Sequence, residues 1–447
     1  MGHYVPHTDA EIDAMLEALG LTSVDELFAS VPAALRLAGG LGLPPGLGEP
    51  DVLVRLGELA DRNQVSGRDL VCFAGAGAYD HEVPAVTRSL AGRAEFVTAY
   101  TPYQAEVAQG VLQSLFEFQT MVARLAGVGV ANASLYDGAS ATVEAVNLAT
   151  AASGRPSVLM SQGVHPHWRQ VVTTFAAGEG RDVVEVPLRD GHTAWPDGPH
   201  DVGAVVAAYP NYLGCLEDLG RARQVADDAG VPLVVAFDPV AAGVLRSPGS
   251  WGADVVVGEG QAFGTALNFG GPYLGLFACT EAHVRRLPGR LVGETVDTEG
   301  RRSYVTTLRT REQDIRRERA SSNVCTNQTL MAVTAAIQLG WLGTSGLAEV
   351  ALRCARGTRY CRDALLAVDG VEPLVSAPVL REFAVRAPVD GAVLVERLAE
   401  EGYLAGVALG PGLEASGCDG GLLVAVTERR TRDEIDGFAA AFEKAVR

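Results

Sequence analysis

The sequence is almost without lysine. Its 447 residues include a single lysine, Lys444, among the last four positions, and arginine supplies the other basic side chains. A guanidinium group stays protonated, with a pKa above about 12, so arginine cannot replace a lysine amine as a nucleophile. Chemistry that requires a lysine Schiff base is therefore not expected from the interior of this chain.

Paired cysteines and an excess of basic charge are also missing. The seven cysteines form no CxxC pair and no Cys/His cluster with metal-ligand spacing, which predicts a reducing environment and no metal site. With 36 basic and 54 acidic residues the formal net charge is −18, which disfavours nucleic acids and anionic membrane surfaces as partners. The sequence opens without a basic and apolar leader, so we expect an untargeted, cytoplasmic chain.

Two segments depart from this general character. Residues 321–348 carry no charge, but Ser, Thr, Asn, Gln and Gly interrupt the run, which predicts a buried helix rather than a membrane span. Residues 309–319 are rich in arginine that alternates with Glu312, Asp314 and Glu318. This alternation predicts a salt-bridged helical face, with an anion-binding site as the alternative.

Apolar runs alternate with helical segments through the middle of the sequence. The predicted strands are residues 157–160, 183–186, 202–208, 231–237, 255–257 and 274–279, and the predicted helices include residues 106–126 and 141–149. This alternation predicts an α/β fold, with a mostly parallel sheet covered by helices on both faces. Ligands of such sheets bind at the carboxyl ends of the strands.

Both ends of the chain show a different pattern. A capping box at Thr8–Glu11 precedes a short amphipathic helix, and the Pro/Gly-rich residues 39–50 are typical of a linker. A long apolar helix near residues 330–342 is followed by a helix over 346–368, strands near 382–385 and 421–426, and a final helix. We predict an N-terminal arm and linker (1–64), a large α/β domain (65–328), and a connecting helix with a smaller C-terminal α+β domain (329–447).

Three features of the large domain suit a pyridoxal phosphate pocket. The turn before helix 141–149, with Asp137 and Gly138, offers backbone N–H groups to an anion such as phosphate. His165 is placed to stack on a pyridine ring, and Asp238, after strand 231–237, to pair with a pyridinium nitrogen. The alternatives are a tight turn that needs Gly138, a hydrogen-bonded loop histidine, and an aspartate that caps the next turn. The missing lysine argues against a self-sufficient pyridoxal enzyme.

Short motifs in a fixed order cover almost the whole chain. They are Tyr4–Thr8, Gly75–His81, Thr98–Gln104, Glu106–Gly110, Asn132–Ala139, Pro210–Gly214, Glu217–Leu219, Val257–Gln261, Phe269–Tyr273, Leu287–Val292, Arg311–Arg317 and Ser322–Asn327. Together they resemble subunit 1 of the glycine dehydrogenase (decarboxylating) P-protein family. Tyr209 departs from the family pattern, in which Asn precedes Pro210.

The resemblance implies a fold and a division of labour. The fold is that of a fold-type-I pyridoxal-phosphate-dependent transferase, and only subunit 2 of the family carries the His-Lys pair that holds the cofactor. The matching stretch of this chain has Gln261 or Ala262 where the lysine would lie. The implied holoenzyme contains two copies of each subunit, decarboxylates glycine, and transfers the aminomethyl group to the lipoyl arm of the H-protein.

The resemblance also points to two groups of residues. Tyr100, Thr101, Tyr103, Gln104, Glu106 and Gln109 are expected to support the active site of the partner subunit, with a solvated helix-capping turn as the alternative. Asp137, Gly138, His165, Asn211, Asp238 and Gln261 are expected to mark a vestigial cofactor pocket. Two other functions stay open: a paralogue that acts with its own catalytic half on another glycine-like amine, and a non-enzymatic scaffold that binds a lipoyl carrier.

Overall fold

A computed structural model describes residues 6–37, 39, 41–198, 200–410, 412–413 and 416–447. Tyr4 and Val5, which begin the first family motif, lie outside the described residues. The chain divides into two compact units, Met1–Asn63 and Gln64–Arg447. The finer division of the second unit into a large and a small domain stays a prediction.

The helices and strands have the following bounds. The helices are α1 (Asp9–Leu19), α2 (Glu49–Ala60), α3 (Ala85–Ala91), α4 (Ala94–Val97), α5 (Gln109–Ala126), α6 (Gly138–Ser153), α7 (Pro166–Gly178), α8 (Leu219–Ala229), α9 (Gln313–Arg316), α10 (Thr329–Leu366), α11 (Gly391–Glu400) and α12 (Arg432–Val446). The strands are β1 (Val71–Cys72), β2 (Val130–Ala131), β3 (Val158–Ser161), β4 (Val183–Val186), β5 (Leu188–Arg189), β6 (His192–Thr193), β7 (Ala204–Tyr209), β8 (Leu233–Phe237), β9 (Val255–Glu259), β10 (Gly275–Cys279), β11 (Leu291–Val296), β12 (Arg302–Thr307), β13 (Glu372–Pro373), β14 (Glu382–Arg386), β15 (Tyr403–Leu404), β16 (Val407–Ala408) and β17 (Leu422–Ala425).

The N-terminal unit begins with the predicted capping box. The Thr8 hydroxyl accepts a hydrogen bond from the Glu11 amide, and the Glu11 carboxylate accepts one from the Thr8 amide at 2.7 Å. These two bonds satisfy amides that the first turn of a helix leaves free. Helix α1 is therefore confirmed, and α2 starts at Glu49, inside the predicted linker.

A seven-stranded sheet forms the centre of the second unit, in the order β2-β10-β9-β8-β7-β3-β4. Strands β4, β3, β7, β8 and β9 are parallel, β10 pairs antiparallel with β9, and the edge strand β2 pairs antiparallel with β10. Val205 faces a core shared with α5 and α8, whereas Val206 faces a second core shared with α6 and α7. The mostly parallel sheet with both faces covered is confirmed.

Helix α10 joins two segments that the sequence predicted as separate helices. Gly343 lies between them with φ 60° and ψ −174°, a conformation that only glycine adopts at low cost. Within the described residues, α10 is the one helix long and apolar enough to cross a membrane by length and composition. Its residues Ala332, Ala335 and Leu339 pack into the core beside the sheet, as those of a core helix do.

A third core lies in the C-terminal part of the chain. The antiparallel sheet β13-β14-β17-β16 packs with α11 and α12. Strand β1 pairs in parallel with β15, and Phe73 stacks on Phe438 with ring centroids 4.1 Å apart. Residues 71–73 therefore pack with the C-terminal elements, although the prediction assigned them to the large domain.

The arginine-rich run 309–319 does not form the predicted continuous helical face. It folds as three short helical turns, and Arg317 has φ 53°. Arg311 is buried and donates hydrogen bonds to the carbonyls of Leu287 and Gly289, so its charge points inward rather than along a face. The predicted continuous helical face was wrong, because Arg311 bonds to carbonyls outside the run instead of to acidic residues within it. A salt bridge within the run is nevertheless present, between Arg309 and Asp314 at 3.1 Å.

Candidate functional site

A small pocket lies at the carboxyl ends of β7, β8 and β9. Its cavity volume is about 80 Å³. The predicted residues His165, Asn211, Asp238 and Gln261 line it, together with Tyr79, Tyr212, Glu259, Arg381 and Glu382, which the sequence reasoning missed. Within the described residues, none of residues 100–109 lines this pocket.

The N-terminus of α6 already holds a carboxylate. The Gly138 amide donates to Glu259 Oε2 at 2.9 Å, and Glu259 Oε1 accepts from the amides of Gln261 at 3.0 Å and Leu274 at 2.9 Å. Burial raises the pKa of Glu259 to about 7, although the three amide hydrogen bonds act in the opposite direction. The position predicted for a phosphate is therefore taken by a side chain of the same chain.

Asp137 and Gly138 also build the tight turn that the alternative interpretation required. The Asp137 carboxylate caps α6 by accepting a hydrogen bond from the Ser140 amide at 2.7 Å. A Cβ atom at Gly138 would lie 2.2 Å from the Trp168 ring. Glycine is needed here because the indole packs directly against the start of the helix.

His165 is a neutral, fully bonded histidine. Its Nδ1 accepts a hydrogen bond from the His167 amide at 3.1 Å, so its Nε2 carries the proton and donates to the Ala76 carbonyl at 2.8 Å. Burial lowers its pKa to about 4. The ring also stacks on Trp168, with centroids 5.9 Å apart. These contacts favour the hydrogen-bonded loop histidine over a ring held free for a cofactor.

Asp238 is paired with an arginine from the C-terminal part of the chain. Its Oδ2 lies 2.6 Å from Arg381 Nη2, and both side chains are largely buried. The guanidinium of Arg381 also lies over the Tyr79 ring, 3.4 Å from its centroid, and donates to His81 Nε2. Asp238 Oδ1 accepts from the Val240 amide at 2.9 Å, so the turn-capping interpretation of this aspartate applies as well.

Gln261, one of the two positions matching the family lysine, fixes a segment of the chain by its side-chain amide. Its Oε1 accepts from the Tyr79 amide at 2.9 Å, and its Nε2 donates to the Tyr79 carbonyl at 3.1 Å. The Tyr79 hydroxyl donates to Glu382 Oε2 at 2.7 Å, and the Ala76 amide donates to Glu382 Oε1 at 2.6 Å. We call residues Gly75–His81 the inserted segment, because these bonds hold it against the pocket.

The single lysine lies elsewhere. Lys444 belongs to α12, and its Nζ is 3.5 Å from Glu401 Oε2, with 71% of the lysine side chain exposed. Because the pocket lining contains no lysine, no amine is available there for a Schiff base.

A second buried cluster joins the inserted segment to α10. The donor atoms of His81, Cys354 and Glu428 lie within 4.8 Å of one another. His81 Nε2 accepts a hydrogen bond from Arg381, so its proton lies on Nδ1 and is donated to Glu428 Oε2 at 2.6 Å. A metal-bound histidine normally donates its second N–H, which an arginine donor prevents here. The cluster is a hydrogen-bond chain that supports Arg381.

The predicted support segment, residues 100–109, lies at the surface. Tyr100 is 81% exposed, and Gln104 and Glu106 are exposed as well, whereas Thr101 is half-buried. Gln109 has a structural contact, since its side-chain amide bonds both the N–H and the carbonyl of Tyr304 at 2.9 and 2.8 Å. Gln109 thereby fixes the C-terminal end of the segment to β12.

Tyr103 connects the support segment to a buried arginine. Its hydroxyl accepts from Arg290 Nη2 at 2.8 Å, and its ring lies beneath the guanidinium groups of Arg290 and Arg309. Arg290 is 3% exposed and also donates to Asn327 Oδ1 at 3.1 Å. Asn327 in turn donates to the Ser134 hydroxyl at 2.9 Å. Residues from several family motifs thus contact Arg290. The sequence alone predicted no role for this arginine, although it lies within the motif Leu287–Val292.

Comparison with known proteins identifies the family. Residues 2–442 match the family described as "Glycine cleavage system P-protein". The chain is 46% identical to the probable glycine dehydrogenase (decarboxylating) subunit 1 of Moorella thermoacetica and 45% identical to that of Prosthecochloris aestuarii. The alignments cover 98% and 97% of this chain and 98% of each relative.

Solved structures agree with this match. The crystal structure of an inhibitor-bound glycine decarboxylase (P-protein) of the glycine cleavage system has a TM-score of 0.92 at 43% identity, covering 99% of this chain and 100% of that one. A sphingosine-1-phosphate lyase from Burkholderia pseudomallei has a TM-score of 0.65 at 17% identity, which shows the fold alone. The predicted fold-type-I transferase architecture is confirmed, and the chain belongs to the glycine cleavage system P-protein family.

Proposed function

We propose that this chain is the non-catalytic subunit 1 of a two-subunit glycine decarboxylase and works only beside a pyridoxal-phosphate-bearing subunit 2. The observation that carries the proposal is the side-chain amide of Gln261, which lies in the pocket with no lysine near it. The chain also aligns with 98% of the length of a subunit 1 relative. Without an amine, this pocket cannot hold the cofactor as a Schiff base.

In the proposed holoenzyme the partner subunit carries out the chemistry. Glycine loses its carboxylate as carbon dioxide, and the remaining aminomethyl group passes to the lipoyl arm of the H-protein. Pyridoxal phosphate in the partner would supply the electron sink for the broken carbon–carbon bond. The role of this chain is to complete the partner's site from across an interface, in an assembly with two copies of each subunit.

The support segment is the part of this chain best suited to that role. Tyr100 and Val107 are 81% and 78% exposed, and exposed aromatic and apolar side chains of this kind are typical of protein interfaces. Arg290 donates a hydrogen bond to Tyr103, and Gln109 is bonded to the backbone of Tyr304, so both ends of the exposed segment are fixed to the rest of the chain. A preorganised segment loses little conformational entropy when a partner covers it.

The test is exchange of labelled bicarbonate into glycine in the presence of lipoylated H-protein. Three samples are compared: this chain alone, a lysine-bearing subunit 2 alone, and the two together. We expect exchange only in the mixture, because each chain lacks part of the site. Exchange by this chain alone would refute the non-catalytic role.

The same assay separates the rival functions. No exchange in any sample, with a subunit 2 shown to carry its cofactor, would favour a paralogue that acts on another glycine-like amine. No exchange together with binding of lipoylated H-protein to this chain alone would favour a lipoyl-carrier scaffold.

A further inference from the structure

The pocket of this chain contains groups that could bind pyridoxal phosphate, but these groups are already bonded to other residues of the chain. A bound cofactor needs an anion-binding group for its phosphate, a carboxylate for its pyridinium nitrogen, and space for a flat ring. The N-terminus of α6 and Asp238 are the groups that would meet the first two needs. Both already have partners within the chain.

At the phosphate end, the partner is a carboxylate. Glu259 is the last residue of β9, and its two oxygens accept three backbone amide hydrogen bonds from Gly138, Gln261 and Leu274. A phosphate at this place would need the same N–H groups. Where Glu259 is ionised, the phosphate would also meet a buried carboxylate of the same sign of charge, which further opposes its binding.

At the pyridine end, the partner is a flat cation. The Arg381 guanidinium pairs with Asp238 at 2.6 Å and stacks on the Tyr79 ring at 3.4 Å. A protonated pyridine ring would offer Asp238 the same charge and planar shape. Displacing Arg381 would leave a buried cation without its partner, which is costly.

The inserted segment lines the remaining space through Gly77 and Tyr79. The Ala76 carbonyl binds His165, and Tyr79 is fixed between Gln261 and Glu382. The cavity that remains has a volume of about 80 Å³. A substituted pyridine ring with its phosphate would therefore compete for this space with a segment that is already hydrogen-bonded in place.

We propose that the chain fills its own cofactor site: Glu259 takes the place of the phosphate, and Arg381 takes the place of the pyridinium nitrogen. The pocket therefore excludes pyridoxal phosphate even as a non-covalent ligand. This inference goes beyond the proposed function, because it concerns the pocket of this chain and not the chemistry of the partner. It also gives the filled pocket a structural role, since Asp238 and Arg381 join the central sheet to β14.

The first experiment measures the binding of inorganic phosphate to the full chain by titration calorimetry. Wild type is compared with Glu259→Ala and with Asp218→Ala. Asp218 is a matched control, because its carboxylate also caps a helix, accepting from the Arg221 amide at 3.0 Å, but does not line the pocket. We expect phosphate to bind Glu259→Ala at least about tenfold more tightly than wild type or the control. Equal binding by a folded Glu259→Ala protein would overturn the proposal.

The second experiment keeps the proposal testable if Glu259→Ala does not fold. Wild type and Gln261→Lys are incubated with pyridoxal phosphate, reduced with borohydride, and weighed by mass spectrometry. The new lysine supplies an amine, but Glu259 and Arg381 remain in place, so we expect no stoichiometric adduct at residue 261. A full adduct there, or saturable binding of pyridoxal phosphate to wild type, would overturn the proposal. Neither measurement uses glycine exchange, so failure here is distinct from failure of the proposed function.

Discussion

Replacing Glu144 by glutamine should stabilise the chain at alkaline pH and leave it unchanged at acidic pH. Glu144 lies on α6, is 9% exposed, and among the described residues its Oε2 has no hydrogen-bond partner. Burial raises its pKa to about 7, and the nearby Ser322 hydroxyl opposes this effect only in part. The folded chain therefore retains this proton at a pH where the unfolded chain has lost it.

The sign and size of the effect follow from linkage. Because the pKa of Glu144 is raised in the folded state, the contribution of its protonated side chain to the free energy of unfolding is complete below pH 4.5. This contribution is lost as the pH rises to about 7. The difference between these two values corresponds to about 3 kcal/mol, at about 1.4 kcal/mol for each pH unit. Glutamine keeps the shape of the side chain and removes the titration, so Glu144→Gln should gain up to about 3 kcal/mol at pH 8.

The assay is denaturant unfolding of the full chain at a series of pH values between 4.5 and 8, followed by far-UV circular dichroism. Glu396→Gln is the control, since Glu396 is exposed on α11 and should give a difference near zero at every pH. A stability gain for Glu144→Gln that does not grow with pH, or a loss at pH 8, would refute the argument from burial.

Three further predictions concern other parts of the chain. Tyr103→Phe removes one hydrogen bond to the buried Arg290 and should lower the free energy of unfolding by about 1.5 kcal/mol or more and exchange by the two-subunit mixture about tenfold. Lys444→Arg should leave exchange by the mixture at the wild-type rate, and a large loss would contradict the non-catalytic role of the only lysine. Gln119→Leu leaves the N–H and carbonyl of Val292 unbonded in the core and should cost about 2–4 kcal/mol in denaturant unfolding.

The central sheet could be predicted because most of its strands are short apolar runs, and β3, β7, β8 and β10 are buried along almost their whole length. Strand β4 has the predicted bounds, and β3, β7 and β8 are shifted by one or two residues. The ends of helices and strands were predicted less accurately than their presence. Helix α5 begins at Gln109 rather than at residue 106, because residues 105–107 form a separate 3₁₀ turn.

The candidate pocket was only partly predictable. His165, Asp238 and Gln261 follow or flank predicted strands, so their meeting at one edge of the sheet follows from the α/β pattern. Arg381 lies more than a hundred residues after Asp238 in the sequence, and no local sequence pattern predicts that the two side chains pair. Glu259 offered a signal in the sequence: it is a glutamate at the end of a buried strand, separated from a run of three valines only by Gly258 and two residues before Gln261.

The missing lysine and the filled pocket explain different parts of the proposed dependence on a partner. Loss of the lysine alone would leave N–H groups at α6 and the carboxylate of Asp238 without partners, at about 1–3 kcal/mol for each buried group. In this chain Glu259 and Arg381 bond those groups, so the fold needs no cofactor to satisfy them. A pocket that only lacked its lysine would still attract pyridoxal phosphate. In the proposed holoenzyme, a pocket with its phosphate and pyridinium positions filled would leave the cofactor to the partner subunit.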